Sequence, residues 1–236
     1  MSSSRTDAAR KMQNIGIEDI GENKSTSHEH EVVFIVEDKV FEETIRQFMK
    51  SMFNLDNILV HSAELSSEKG RENTLLSLIR LTLSKEQNAN IICLVDANDS
   101  AKKQRESIIK ILSDFKYKLY ANVHGNAVLA ENDMHNKVGI WIMPNNKDVG
   151  SFADFYFTLA RIEPEVRQYI NDTIDGLKKK NIIKHKKSLV GTVKYFTYLA
   201  WQKNPLRSND DMFSKKKFLT TAQLYTDFAS WIQQIL

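Results

Sequence analysis

Residues 92–100 read "ICLVDANDS": an apolar run that leads directly into Asp96, Ala97, Asn98 and Asp99. A segment that should be buried thus ends in a cluster of oxygen-bearing side chains. The end of a central parallel strand has this texture. In open α/β sheets, ligands and metals sit at the carboxyl ends of such strands.

The segments on either side support that reading. "EVVFIVE" (residues 31–37) is a short β-branched and aromatic run, as expected of a strand buried on both faces. In "DKVFEETIRQFMKSMF" (38–53), Val40, Phe41, Ile45, Phe48, Met49 and Met52 recur at helical spacing. "NILVHS" (57–62) reads as a strand, "GRENTLLSLIRLTLS" (70–84) as a helix and "ANIICLVD" (89–96) as a third strand. "SAKKQRESIIKILSDF" (100–115) reads as a third helix, with Ser100 as its N-cap. "YKLYANV" (117–123) and "KVGIWIMP" (137–144) complete the strands. Strands that alternate with helices imply right-handed crossovers and a mostly parallel sheet flanked by helices, an α/β fold.

From Gly150 onward the pattern is helical almost throughout. Pro164 stands where a helix start tolerates proline. Leu224, Phe228, Trp231 and Ile232 form one stripe near the C-terminus. Tyr195, Phe196, Tyr198 and Trp201 suit either core packing, the favoured reading, or stacking on nucleobases. The expected organisation is a flexible N-terminal arm over 1–28, an α/β core over 29–160, and a helical extension over 161–236 packed on that core.

Composition narrows the classes. No apolar run approaches the roughly 20 residues that a bilayer helix needs, and the N-terminus lacks a hydrophobic signal core. One cysteine, Cys93, lies inside an apolar run and excludes an internal disulfide. A cytoplasmic protein with no membrane partner is the expectation. There is no phosphate-cradling G-x-x-x-x-G-K-[ST] loop, no G-x-S-x-G elbow and no histidine grouping suited to zinc. The net charge of +3 conceals an asymmetry. Residues 161–236 carry 14 Lys and Arg against 7 Asp and Glu, whereas residues 1–160 carry 19 against 23. An acidic first part joined to a basic second part suits a metal site beside a polyanion-binding surface; two solvated faces account for it equally well.

Glu37 follows one strand and Asp96 ends another. Adjacent parallel strands lie about 4.8 Å apart, so these carboxylates can converge on one Mg²⁺ or Mn²⁺. Asn98, Asp99, Asp148 and Asp154 are further oxygen donors on nearby loops. Helix caps and turns also favour these residue types. Lys102 and Lys103 follow the third strand and are placed to meet a phosphate. The segment "KKKNIIKHKK" (178–187) supplies Lys178, Lys179, Lys180, Lys184, Lys186 and Lys187 for sequence-independent phosphate contacts. A solvated helix end reads the same way.

"FIVEDKVFEETI", "IICLVDANDSAKKQRESIIKIL", "GIWIMPNNKDVGSFADFYFTL" and "YLAWQKNP", in this order, resemble a group of bacterial and archaeal proteins with a Toprim-like domain, related to OLD-type nucleases. The likeness spans residues 30–236. It implies a Toprim-like, Rossmann-like fold and Mg²⁺-dependent cleavage of DNA or RNA phosphodiester bonds. It also implies a metal site at the positions of Glu37, Asp96 and Asn98, with Glu37 and Asp96 as the catalytic pair. Toprim nucleases of the OLD type work with ABC-type ATPases, so a separate ATPase partner and a phage-defence setting follow from the same likeness. A homo-oligomer is left open. Three positions depart from the pattern: Asp38, not Gly, follows Glu37; Asn98 stands for the second Asp of Asp-x-Asp; and Ala153 precedes Asp154 where an acid is usual. Fewer negative charges weaken attraction for a divalent cation. The alternative is therefore a catalytically degenerate binding or regulatory subunit.

Overall fold

A computed structural model of the chain describes residues 32–37, 39–63, 71–86, 88–120, 123–184, 189–202 and 218–236. The expected N-terminal arm, Lys186 and Lys187 lie outside them. The fold is α/β. Among the described residues six strands form one sheet: β1 (Val32–Val36), β2 (Ile58–Ser62), β3 (Asn90–Asp96), β4 (Lys118–Leu119), β5 (Val128–Glu131) and β6 (Lys137–Met143). Their order is β2-β1-β3-β6-β5-β4. β2, β1, β3 and β6 run parallel. β5 pairs antiparallel with both β6 and β4, so the sheet is mixed at one edge. Of the segment expected to be a strand over 117–123, Lys118 and Leu119 form β4 among the described residues, and residues 121 and 122 lie outside them. Tyr120 adds one ladder-like bond, its N–H donating to the Leu129 carbonyl at 2.8 Å.

Seven α-helices flank the sheet among the described residues: α1 (Glu42–Phe53), α2 (Arg71–Lys85), α3 (Ala101–Asp114), α4 (Phe152–Leu159), α5 (Pro164–Lys179), α6 (Val190–Ala200) and α7 (Gln223–Ile235). Because side chains alternate along a strand, each buried strand feeds two cores. Val33, Ile35, Ile91, Cys93, Val95, Ile140 and Ile142 face α2 and α3 through Leu75, Ile79, Ile108 and Leu112. Phe34, Val36, Ile92, Leu94, Trp141 and Met143 face the other layer, built from α1, α4, α5, α6 and α7.

The C-terminal stripe closes this second core. Phe228, Trp231, Ile232 and Ile235 are fully buried. The Trp141 ring meets Phe228 at 5.0 Å and Trp231 at 5.3 Å between centroids. The Trp231 indole donates to the Val128 carbonyl at 3.2 Å. Helix α7 is thus part of the sheet's own core. The aromatic segment on α6 divides otherwise than expected. Tyr195 is buried and packs on Tyr156 at 4.8 Å, but Phe196 and Trp201 are 43% and 51% exposed. An 11-residue helix presents one stripe to the core, and residue 196 falls about 100° beyond Tyr195 on the helical wheel.

Candidate acidic site at the strand switch point

The chain passes from β1 to β2 on one side, then returns to place β3 on the other side of β1. β1 and β3 therefore flank the topological switch point, where open α/β sheets leave a crevice at the strand ends. Glu37 is the first residue past β1 and Asp96 is the last of β3. The structure brings them together. Glu37 Oε2 accepts a hydrogen bond from the Asp96 backbone N–H at 3.0 Å. Glu37 Oε1 accepts from the Asn98 side-chain amide at 3.1 Å. Glu37 is only 6% exposed. Both of its carboxylate oxygens thus take N–H donors.

Asp96 faces a second element. Its Oδ1 accepts from the backbone N–H of Phe152 at 2.8 Å, at the first residue of α4. A carboxylate at a helix N-terminus satisfies a donor that has no partner within the helix and meets the positive end of the dipole. Val36, Phe41, Ile45, Leu94 and Phe152 wall a small cleft whose polar groups are Glu37 and Asp96. The Phe41 and Phe152 rings lie 5.1 Å apart across it. Apolar walls reduce screening, so charge in the cleft acts more strongly than on the open surface.

Two loops support the site. The Ala97 N–H lies 3.2 Å from the Met143 carbonyl and 3.0 Å from that of Gly150, tying the end of β3 to the loop after β6. The Met143–Pro144 peptide bond in that loop is cis. A Cβ on Gly150 would sit 2.9 Å from Asp154 Oδ2 and 3.0 Å from Pro144 Cδ, so the chain passes where a side chain would crowd. Asn146 takes over where β5 has ended. Its Oδ1 accepts from the Ile142 N–H at 2.6 Å, and its own N–H donates to the Ile142 carbonyl at 2.6 Å. Arg105, from α3, donates to the Asn146 carbonyl at 2.5 Å. Neither Asn146 nor Arg105 is among the residues that the sequence reading singles out. The only sequence signal was the Pro-Asn-Asn turn, because strand-edge closure depends on where β5 stops.

The other expected oxygen donors do not join the pair. Asp99 is exposed. Asp148 is exposed and accepts from the Asn145 side-chain amide at 2.7 Å. Asp154 Oδ2 accepts from the Ser151 N–H at 2.9 Å and the Ser151 hydroxyl at 3.1 Å, as a local cap of α4. Burial raises the Asp154 carboxyl above the usual carboxylate range, against the pull of those hydrogen bonds. Asp154 also fills the space beside Gly191 of α6, where any Cβ would collide with its carboxylate. Among the described residues no three His, Cys, Asp or Glu side chains gather as a ligand set.

The expected lysines that lie among the described residues are exposed. Lys102 stands in the first turn of α3, 3.8 Å from Glu106, and Lys103 follows it. Lys178 and Lys179 occupy the last turn of α5, with Lys180 and Lys184 exposed just beyond. Cys93 is fully buried, and desolvation pushes its thiol up to about 12. No helix of the described residues is long and apolar enough to cross a membrane.

Residues 31–236 match a family described as protein of unknown function (DUF3226). The chain belongs to this family. No curated protein and no solved structure matches it.

The donor set can be weighed against the divalent cation that the sequence reading expects. Mg²⁺ is usually held by one or two carboxylates and keeps several waters. Glu37 and Asp96 meet that requirement. A carboxylate oxygen carries two lone pairs, so a hydrogen bond to it does not by itself preclude coordination. The residues fit a site with two carboxylates and one ion; they do not form a richer acidic cluster.

Proposed function

We propose that this DUF3226 chain is a Toprim-like, Mg²⁺- or Mn²⁺-dependent nuclease or nuclease effector that acts on nucleic-acid phosphodiester bonds. One observation carries the reading: Glu37 and Asp96, distant in sequence, line one cleft at the sheet's switch point. When bound there, a divalent ion would polarise a phosphoryl oxygen and lower the pKa of a bound water. The protein's own part is to fix the two carboxylates. Glu37 is held by the Asp96 N–H and the Asn98 amide, and Asp96 by the N-terminus of α4. Lys102 and Lys103, exposed on the first turn of α3, would meet the phosphate backbone near the strand ends. The basic run after α5 would add contacts that weaken as salt rises. A separate ABC-type ATPase, a phage-defence role and a cytoplasmic setting belong to the same proposal and rest on the Toprim resemblance.

A second reading is supported by Asn98. It contributes a neutral amide to Glu37 where a carboxylate would add charge, as in a subunit that binds nucleic acid without cleaving it. The test measures cleavage of plasmid DNA and of tRNA with Mg²⁺ or Mn²⁺, using wild type, Glu37→Ala and Asp96→Ala. Metal-dependent cleavage lost in both variants supports the nuclease. Cleavage that survives both substitutions rejects this site. No cleavage by wild type, with salt-sensitive binding retained, establishes the non-cleaving reading.

A further inference from the structure

We propose that the outward face of α6 binds a second copy of this chain, the two helices packing antiparallel about a two-fold axis. The proposal stands apart from any metal at the strand ends.

Three observations lead to it. Leu189, Val193, Phe196 and Ala200 follow one another at intervals of four, three and four residues, which sets them in one stripe along the helix. Leu189 and Phe196 are 39% and 43% exposed, Ala200 is exposed and Val193 is half-buried. The Phe196 ring lies 5.3 Å from the ring of Tyr195, the residue that anchors α6 in the core, so it is held in place rather than free. Next, α6 holds one charged residue in eleven, Lys194, and it falls outside the stripe. A helix on a globular surface ordinarily turns charged and polar side chains away from the core; here that side is apolar. Exposed apolar surface that is contiguous marks an interaction site. Finally, the stripe complements itself. Turned antiparallel about a point between Val193 and Phe196, Leu189 meets the partner's Ala200 and Val193 meets the partner's Phe196, so each larger side chain faces a smaller one. A two-fold contact requires such self-complementarity.

Charge selects the same orientation. Residues 178–187, just before α6, carry six lysines and no acid, whereas residues 203–211, just after it, carry two cations and two acids. A parallel pair would set the two lysine runs side by side. An antiparallel pair sets each run near the negative, carbonyl end of the partner's helix. Nucleobases would require cations among the aromatic platforms, and the stripe has none. The contact is small. A helix of eleven residues is about 16 Å long, less than an interface of roughly 1,200 Å² needs, so the dimer should dissociate at micromolar protein.

The experiment uses the full chain. Sedimentation equilibrium from low micromolar to near-millimolar protein should show a reversible monomer–dimer equilibrium for wild type. Phe196→Glu should weaken it by about ten-fold or more. Orientation is read by air oxidation of single-cysteine variants; Cys93 is buried and does not interfere. In the antiparallel pair the two copies of residue 200 sit about 16 Å apart along the helix axes, beyond the reach of a disulfide. Leu189→Cys mixed with Ala200→Cys should therefore cross-link, and neither should cross-link with itself.

Wild type that stays monomeric throughout overturns the proposal. So does a dimer that Phe196→Glu leaves intact, or self-linking by Ala200→Cys, which marks a parallel pair. If wild type is monomeric and Phe196→Glu loses nucleic-acid binding, the face belongs to nucleobases and the proposal falls. If Phe196→Glu does not fold, cross-linking of the mixed pair alone upholds the proposal and its failure overturns it.

Discussion

Replacing Gly139 with alanine tests whether α7 belongs to the sheet's core. Gly139 lies within β6, opposite Ile92 of β3 and Leu129 of β5. A Cβ there would lie 2.8 Å from Trp231 Cζ2 and 3.1 Å from Ile235 Cγ1, and would overlap Ile235 Cδ1. Trp231 has no room to retreat, because its indole is bonded to the Val128 carbonyl and packed against Trp141. Forcing an extra methyl into such a site costs about 1–3 kcal/mol. Removing glycine's backbone freedom from a strand returns about 0.5–1 kcal/mol. The net loss should be on the order of 1–2 kcal/mol, or about 2–8 °C in Tm for a chain of this size. Ile235→Val removes the most crowded atom. In the wild-type background it should cost about 0.5–1.5 kcal/mol through the gap it leaves. In the Gly139→Ala background it should cost less, or stabilise. Urea and thermal unfolding of the four proteins gives this double-mutant cycle directly. If Gly139→Ala matches wild type in stability and the two changes are additive, α7 does not lie on β6 as described.

Other outcomes follow from the same packing. Asp154 has a raised carboxyl pKa because it is buried. Its folded form therefore takes up a proton more readily than its unfolded form, so stability falls as pH rises through the raised value. Asp154→Asn, which keeps an oxygen for Ser151, should flatten that slope; equal slopes in denaturant unfolding between mildly acid and neutral pH would contradict the burial argument. Cys93 should resist iodoacetamide in the native state and react only on unfolding, since its thiol is buried with a pKa near 12; fast labelling of folded protein would refute it. Lys137 donates to the Gln234 carbonyl at 2.7 Å and Asn90 to the Ile235 carbonyl at 2.8 Å, which together cap the end of α7. Lys137→Ala should lower stability by about 0.5–2 kcal/mol through lost capping and dipole compensation. An unchanged urea midpoint would show that this cap adds nothing.

Much of this architecture can be read from the sequence because it depends on local periodicity. The runs that became β1, β2 and β3 are continuous and β-branched, and the intervening helices carry apolar residues at helical spacing. Both patterns are set within a dozen residues. The placement of Glu37 and Asp96 at neighbouring strand ends was accessible for the same reason, once the strands were taken as parallel. Strand β5 was not accessible. Four residues, Val128–Glu131, carry too little pattern alone and become a strand only because β6 offers an antiparallel edge. The exposure of Phe196 and Trp201 also escaped the sequence, since composition does not say which face of α6 finds a partner.

By itself, the sequence determined the alternation of strands and helices, the single buried thiol and the acidic residues that close two apolar runs. Tertiary structure alone decided which of the candidate acids share a site. Asp148 turned to its own loop and Asp154 to the start of α4, while the Asn98 amide reached across to Glu37. The reason is physical: periodicity is a property of neighbours along the chain, whereas a hydrogen bond between residues 61 positions apart depends on how strands are ordered in the sheet.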